Sequence, residues 1–256
     1  ENDRNLKSAK MERRKEENKS EEEEEEEEIV CLDGFFINQD YQLTTFAFGS
    51  HQIELLCLQS ASTDFDLTGQ LVWPGAMLMN DYLSKNVDIL RDCSVIELGS
   101  GVGITGILCS RFCRQVVFTD HNDEVLKILD KNIELQVSSE NFNACSELAA
   151  AKLEWGNTDH IEQILQIYSK GFDLILGADI CFQQSSISPL FDTVDLLLRF
   201  RGEKCKFLLA YVSRAKTMDV LIVQEAEKHG LKMNEVNDTR SIVGNLEGVL
   251  FEFSLQ

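Results

Sequence analysis

Positive charge is what this chain has least of. Its 24 lysines and arginines face 44 acids, for a net charge of −20 across 256 residues. Nonspecific binding to nucleic acid depends on Lys and Arg displacing counterions, so a nucleic-acid substrate is not expected. No apolar run approaches the roughly 20 residues of a membrane span, and no membrane association is expected. No C-x-x-C pair and no clustered histidines are present, which removes the usual zinc patterns and leaves no metal assigned. The four histidines stand alone and read as surface or packing residues. The eight cysteines are scattered, mostly inside apolar segments, where a thiol behaves as a small hydrophobe. With no signal-peptide pattern ahead of them, a reducing location is expected, cytoplasmic and also nuclear. No internal repeat is visible.

What is present begins with acid. The first 28 residues carry 13 acids and 7 bases and end in eight consecutive glutamates. Such a segment buries too little apolar surface to offset its ordering entropy, so a disordered acidic tail is expected over 1–28. The remainder still carries 31 acids against 17 bases, compatible with a basic partner and equally with plain solubility. Over 29–91 the pattern predicts an extension: strands at 41–48 and 51–58 about Gly49-Ser50, making a hairpin, then a helix whose first turn accommodates Pro74. Trp73 is thereby placed at a helix start.

The stretch that organises the rest runs from Val95 to Gly106, VIELGSGVGITG. A short apolar run leads into Gly99, Gly101 and Gly103, and Ile104, Ile107, Leu108 and Phe112 follow at helical spacing. A buried strand, a tight turn that excludes Cβ atoms and a helix start are predicted, with the helix N–H groups aimed at a ligand over the turn. G-x-G-x-x-G taken alone would equally suit a dinucleotide. Glu97, two residues before the first glycine, would repel a pyrophosphate and attract a cation or hydroxyls. S-adenosylmethionine, with a sulfonium, an ammonium and a ribose diol but no phosphate, suits that arrangement better.

From residue 92 to 256 strand and helix alternate, the signature of a parallel sheet covered on both faces. Strands are predicted at 94–98, 115–119, 149–153, 172–177 and 206–210, and helices at 104–112, 123–137, 160–168, 187–199 and 217–229. Two last strands near 231–236 and 248–253, joined by a short polar loop, force one strand to run antiparallel. The expected architecture is a Rossmann-like α/β fold, seven-stranded and mostly parallel. Ligands of such sheets sit beyond the carboxyl ends of the strands. The residues there are Asp120, which can accept from ribose hydroxyls, Trp155, which can lie on an adenine face or pack on the core, and Asp179, an acid after an apolar run.

Taken in order, Gly69 to Gly75 with Val72-Trp73, the turn from Glu97 to Gly103, Thr119-Asp120 with Asn132 downstream, and Trp155-Gly156 followed by Gly177-Ala178-Asp179 resemble class I, seven-β-strand, S-adenosylmethionine-dependent methyltransferases. More narrowly the set is similar to the methyltransferase-like protein-lysine methyltransferase group. The resemblance covers about Tyr41 to Gln256. It implies that Trp73, the Gly99-Ser100-Gly101 backbone, Asp120, Trp155 and Ala178 contact the cofactor. It also implies that Asp179 to Phe182, matching a D-x-x-Y/F motif with Phe in the fourth place, line the point where donor and acceptor meet.

The function expected on this basis is methylation of a protein lysine, with Asp179 orienting the amine and Phe182 walling its stem. The substrate expected is a protein, basic or chaperone-like, and the enzyme a monomer. The alternatives are a small-molecule N-methyltransferase, against which no lid-sized insertion is seen, and an inactive binding module of the same fold. A nicotinamide dehydrogenase would want a second substrate domain, and none is evident.

Overall fold

A computed structural model describes residues 41–59, 65–138 and 147–256. The acidic leader expected over 1–28, with Cys31 and Cys145, lies outside the described residues. Strands β1 (Tyr41–Phe48) and β2 (His51–Leu58) form the expected hairpin as a separate two-stranded sheet. Helix α1 (Pro74–Lys85) starts on Pro74, which has no N–H to leave unpaired. Next come β3 (Ser94–Leu98), α2 (Ile104–Cys109), β4 (Gln115–Asp120), α3 (Asp123–Val137), β5 (Glu147–Lys152), α4 (Thr158–Ile167) and β6 (Leu174–Ala178). The chain finishes with α5 (Gln184–Arg201), β7 (Lys206–Val212), α6 (Lys216–Lys228), β8 (Leu231–Glu235), β9 (Ser241–Val243) and β10 (Leu246–Leu255).

The main sheet has the order β5-β4-β3-β6-β7-β10-β8, with β9 paired to the start of β10. Strands β3 to β7 are parallel, and β10 runs against both β7 and β8. The seven expected strands and the one antiparallel strand are all present. The loop read as plain polar chain between the last two strands holds β9 as an eighth. Helix α2 stops at Cys109, short of the expected Phe112, where the Ser110 hydroxyl donates to the Ile107 carbonyl instead of extending the apolar stripe.

The alternation of side chains along β3 sets up both faces. Ile96 and Leu98 join one cluster with residues of α4, α5 and α6, among them Ile164, Phe191 and Ile222. Val95 and Glu97 point the other way, where Phe118 of β4 packs against the backbone of Gly106 in α2. Complete burial of Phe118 is worth roughly 1.5–3 kcal/mol. The cysteines follow the hydrophobe reading: Cys57, Cys109, Cys113, Cys181 and Cys205 are buried and Cys93 partly so.

Two side chains of α3 stitch the hairpin to this core. Asn132, fully buried, accepts from the Leu56 amide at 2.7 Å and donates to the Leu56 and Val102 carbonyls, both at 2.9 Å. Gln136 donates to the Glu54 carbonyl at 2.6 Å. Register puts Leu98 opposite both Thr119 and Gly177, Ala178 opposite Ala210, and Asp120 opposite Lys152. The carboxyl ends of five strands are therefore level, and the chain leaves β3 between neighbours reached in opposite directions.

Candidate functional site

A cavity of about 300 Å³ opens at that point, within the usual range for a small-molecule site. Its walls include Trp73, Glu97, Gly99, Ser100, Gly101, Asp120, Trp155, Ala178, Asp179 and Phe182, so ten of the eleven residues expected from the sequence meet in one place. Gly103 is the exception. It supplies a left-handed N-cap to α2 (φ 89°) from behind the wall, where a Cβ would stand 2.5 Å from Leu129.

The turn after β3 is held by the chain's own acids. Gly101 has φ 53°, and a Cβ there would lie 2.6 Å from the Gly69 carbonyl oxygen, so no other residue fits. Its amide donates to Asp120 Oδ2 at 3.2 Å, while Asp120 Oδ1 accepts from the Asn122 amide at 3.1 Å and lies 3.4 Å from His121. Glu97 accepts from the Gly106 amide at 3.0 Å, in the first turn of α2. The Ser100 amide is taken by the Thr119 carbonyl and the Gly103 amide by the Ser100 carbonyl, both at 2.8 Å. Ser100 also turns its hydroxyl inward, accepting from the Thr119 amide and donating to the Glu97 carbonyl. The Ser100, Gly101, Gly103 and Gly106 amides are thus not left for a ligand. Two carboxylates occupy the ground a pyrophosphate would need.

Charge around the cavity has one sign. Glu97, Asp120, Glu154 and Asp179 line it, and no Lys or Arg does among the described residues. Burial pushes Glu97 up to about 7, opposed by its bond from the Gly106 amide. Asn122, not Asp120, caps α3, accepting from the Glu124 and Val125 amides. Asp120 is left at the strand end with its carboxylate in the cavity wall. Trp155 does both things considered for it, lining the cavity and packing on the core, with its ring edge close beside Gly99.

On the opposite wall Asp179 sits in a left-handed conformation (φ 61°), its amide donating to the Ala210 carbonyl at 2.9 Å. Its side chain is 2% exposed. Oδ2 accepts from the Gly75 amide at 3.0 Å and from Arg214 Nη2 at 2.9 Å, and Oδ1 accepts from Arg214 Nη1. Asp179 is thus half of an ion pair and not the unpartnered acid the sequence suggests. The fit is close enough that a Cβ on Gly75 would stand 2.7 Å from the Asp179 Cβ. Arg214 also lies over the Trp73 ring, 5.7 Å from its centroid, and Trp73 Nε1 donates to the Thr68 carbonyl at 2.8 Å. Phe182 remains half exposed at the mouth. Sequence reasoning missed Arg214, and named Gly75 only as the end of the Gly69 to Gly75 stretch, without this contact. The signal for Arg214 was the one used for Asp179: a single charge just past the end of an apolar strand.

Comparison with known proteins agrees with this geometry. The lysine methyltransferase family model matches residues 52–233. Protein N-lysine methyltransferase METTL21A of Mus musculus is 32% identical over 155 residues, which is 59% of this chain and 64% of that protein. Protein-lysine N-methyltransferase EFM3 of Chaetomium thermophilum is 28% identical over 149 residues, 57% of this chain and 43% of that one. The chain therefore spans about two fifths to two thirds of the length of these relatives. The magnesium protoporphyrin IX methyltransferase of Synechocystis PCC 6803, crystallised with S-adenosylmethionine, shares the fold at a TM-score of 0.53 and 10% identity, over 77% of this chain and 86% of its own. The family match runs from β2 into β8 and takes in every strand-end residue described above, and on it this chain belongs to the lysine methyltransferase family.

Proposed function

We propose that this chain is an S-adenosylmethionine-dependent protein-lysine methyltransferase. The observation that carries the reading is the acid-held glycine turn: Glu97 and Asp120 take one helix-start and one turn amide that a phosphate would otherwise use, and no Lys or Arg lines the cavity among the described residues. A cationic, phosphate-free nucleoside fits these residues and a dinucleotide does not. In this reading Trp73 and Trp155 flank the cofactor, Asp120 accepts from its ribose, and Gly99, Ser100, Gly101 and Ala178 let it approach the backbone. Glu97 balances its positive charge from behind the turn, and Gly103 shapes the turn without touching it.

When bound, the cofactor supplies a sulfonium methyl that an amine lone pair can displace in line. The chain's own contribution is alignment, worth up to ~7–11 kcal/mol in favourable cases. A lysine with an ordinary pKa of about 10.4 must also enter neutral. Burial against Phe182 and proximity to a sulfonium both favour the neutral amine. Phe182 offers an aromatic wall to the lysine stem, while Asp179 receives an amine N–H.

The acceptor proposed is a protein, basic or chaperone-like, consistent with the acidic body of this chain. The enzyme is proposed to act as a monomer in the cytoplasm or nucleus, with 92–256 as its catalytic core and 29–91 as an extension. Purified protein incubated with cell extract and labelled S-adenosylmethionine tests this directly. One or a few labelled protein bands, with methyl-lysine in their digests and no label for Asp120→Ala, is the expected result. Label confined to small molecules would overturn the protein substrate, and cofactor binding with no transfer at all would overturn the enzyme.

A further inference from the structure

Arg214 has no role in the function proposed above, yet it touches two walls of the site. Two of its guanidinium nitrogens, Nη1 and Nη2, hold both oxygens of Asp179, and its face lies over Trp73. A carboxylate has about four lone-pair sites, and Asp179 has committed three: two to Arg214 and one to the Gly75 amide. We propose that Arg214 is a positioning residue for methyl transfer, aiming one remaining Asp179 lone pair at the acceptor amine while cancelling the charge that would hold that amine as an ammonium.

The argument is electrostatic and rests on the function proposed above. An ionised carboxylate beside a lysine favours the charged, non-nucleophilic ammonium. Paired with a guanidinium, the same oxygen still accepts an N–H from a neutral amine but carries little net charge. Arginine suits this role because its planar fork binds a carboxylate at two points and cannot deprotonate. Other charged or titratable groups face the pair. Cys181 follows Asp179 in the same loop, and Tyr211 lies below on β7, bonded to Asp219. Across the cavity stand Glu97, Asp120 and Glu154. The acids among them stay in place in every variant below, so a difference between variants belongs to the pair.

The test is the pH dependence of kcat, which reports ionisation within the enzyme–substrate complex. The substrate is the protein that wild type labels in the extract assay. Arg214→Met is expected to move the lower limb of the profile upward by about one unit or more, because Asp179 is left uncancelled. It should also cost on the order of 100-fold in rate through lost alignment. Asp179→Asn keeps the shape and the Gly75 contact but leaves Arg214 uncancelled, and is expected to move the same limb downward. Arg214→Lys should return the limb to its wild-type position with only part of the rate, since one ammonium replaces a fork. Limbs that stay put, or that shift the same way in both variants, overturn the proposal. Should Arg214→Met fail to fold, the direction of the Asp179→Asn shift decides alone. Failure of wild type to bind S-adenosylmethionine by calorimetry or to label lysine is a separate result, and overturns the parent reading instead.

Discussion

The two walls of the cavity hold their carboxylates by different means. On the β3–β4 side, Glu97 and Asp120 are held by backbone amides, so their charge is spread over peptide dipoles and remains available to a cation. On the β6–β7 side, Asp179 is held by a guanidinium and offers direction without net charge. One wall can attract a sulfonium, and the other can meet an amine without protonating it. Three acids of similar burial thus serve opposite electrostatic ends, and the partner decides which.

The largest effect should come from breaking the first wall at its backbone. Gly101→Val would demand a left-handed valine against the Gly69 carbonyl, costing about 1–3 kcal/mol in backbone strain alone. It is expected to abolish cofactor binding by calorimetry, while the same change at half-buried Gly202, where nothing lies within 4 Å of a Cβ, leaves binding intact.

The second effect sharpens the contrast through pH. Glu97 is raised by burial from an ordinary 4.5 to about 7, so between those values the folded state binds more protons than the unfolded one. Its contribution to stability therefore falls as pH rises from about 4.5 to about 7, by up to about 3 kcal/mol, and is level above. Glu97→Gln should remove that slope in denaturant titrations across the range. Cofactor affinity should strengthen through about pH 7 in wild type, as Glu97 ionises, and stay flat in the variant.

A third variant asks whether the first wall depends on the hairpin behind it. Asn132→Ala leaves the Leu56 and Val102 backbone groups unpaired, at a cost of about 2 kcal/mol in thermal or denaturant unfolding. Cofactor affinity should fall with it, because Val102 belongs to the glycine turn. The smallest change is on the second wall. Phe182→Tyr adds a hydroxyl at a half-exposed ring and should alter stability by less than about 0.5 kcal/mol. Its effect is expected in KM for the acceptor, with cofactor affinity unchanged.

Much of this was legible because the relevant physics is local. The span 123–137 could be drawn as a helix because Asn122 stands ready to cap it and the apolar stripe has helical period, and the same bounds appear in the structure. The bounds of β3 also coincide with those expected, since a buried parallel strand reads as an unbroken apolar run. Strand β9 was missed because three residues carry no period. Helix α2 was drawn too long because its apolar stripe continues to Phe112, through turns that follow the last helical residue, Cys109. Asn132, noted only as part of a resemblance, binds across 76 positions to β2, a link no local pattern encodes.

The chain alone determined the fold class, the place of the glycine turn and the acidity of the site, because periodicity, glycine spacing and charge are properties of neighbouring residues. Which acid stays available and which is cancelled was settled by folding. Asp179 and Arg214 lie 35 positions apart, and only the parallel pairing of β6 with β7 brings them within bonding distance. The Gly101 amide likewise could be counted in advance, but its loss to Asp120 appears only once β3 and β4 lie side by side. Charge is written in the chain, and its pairing is written in the contacts.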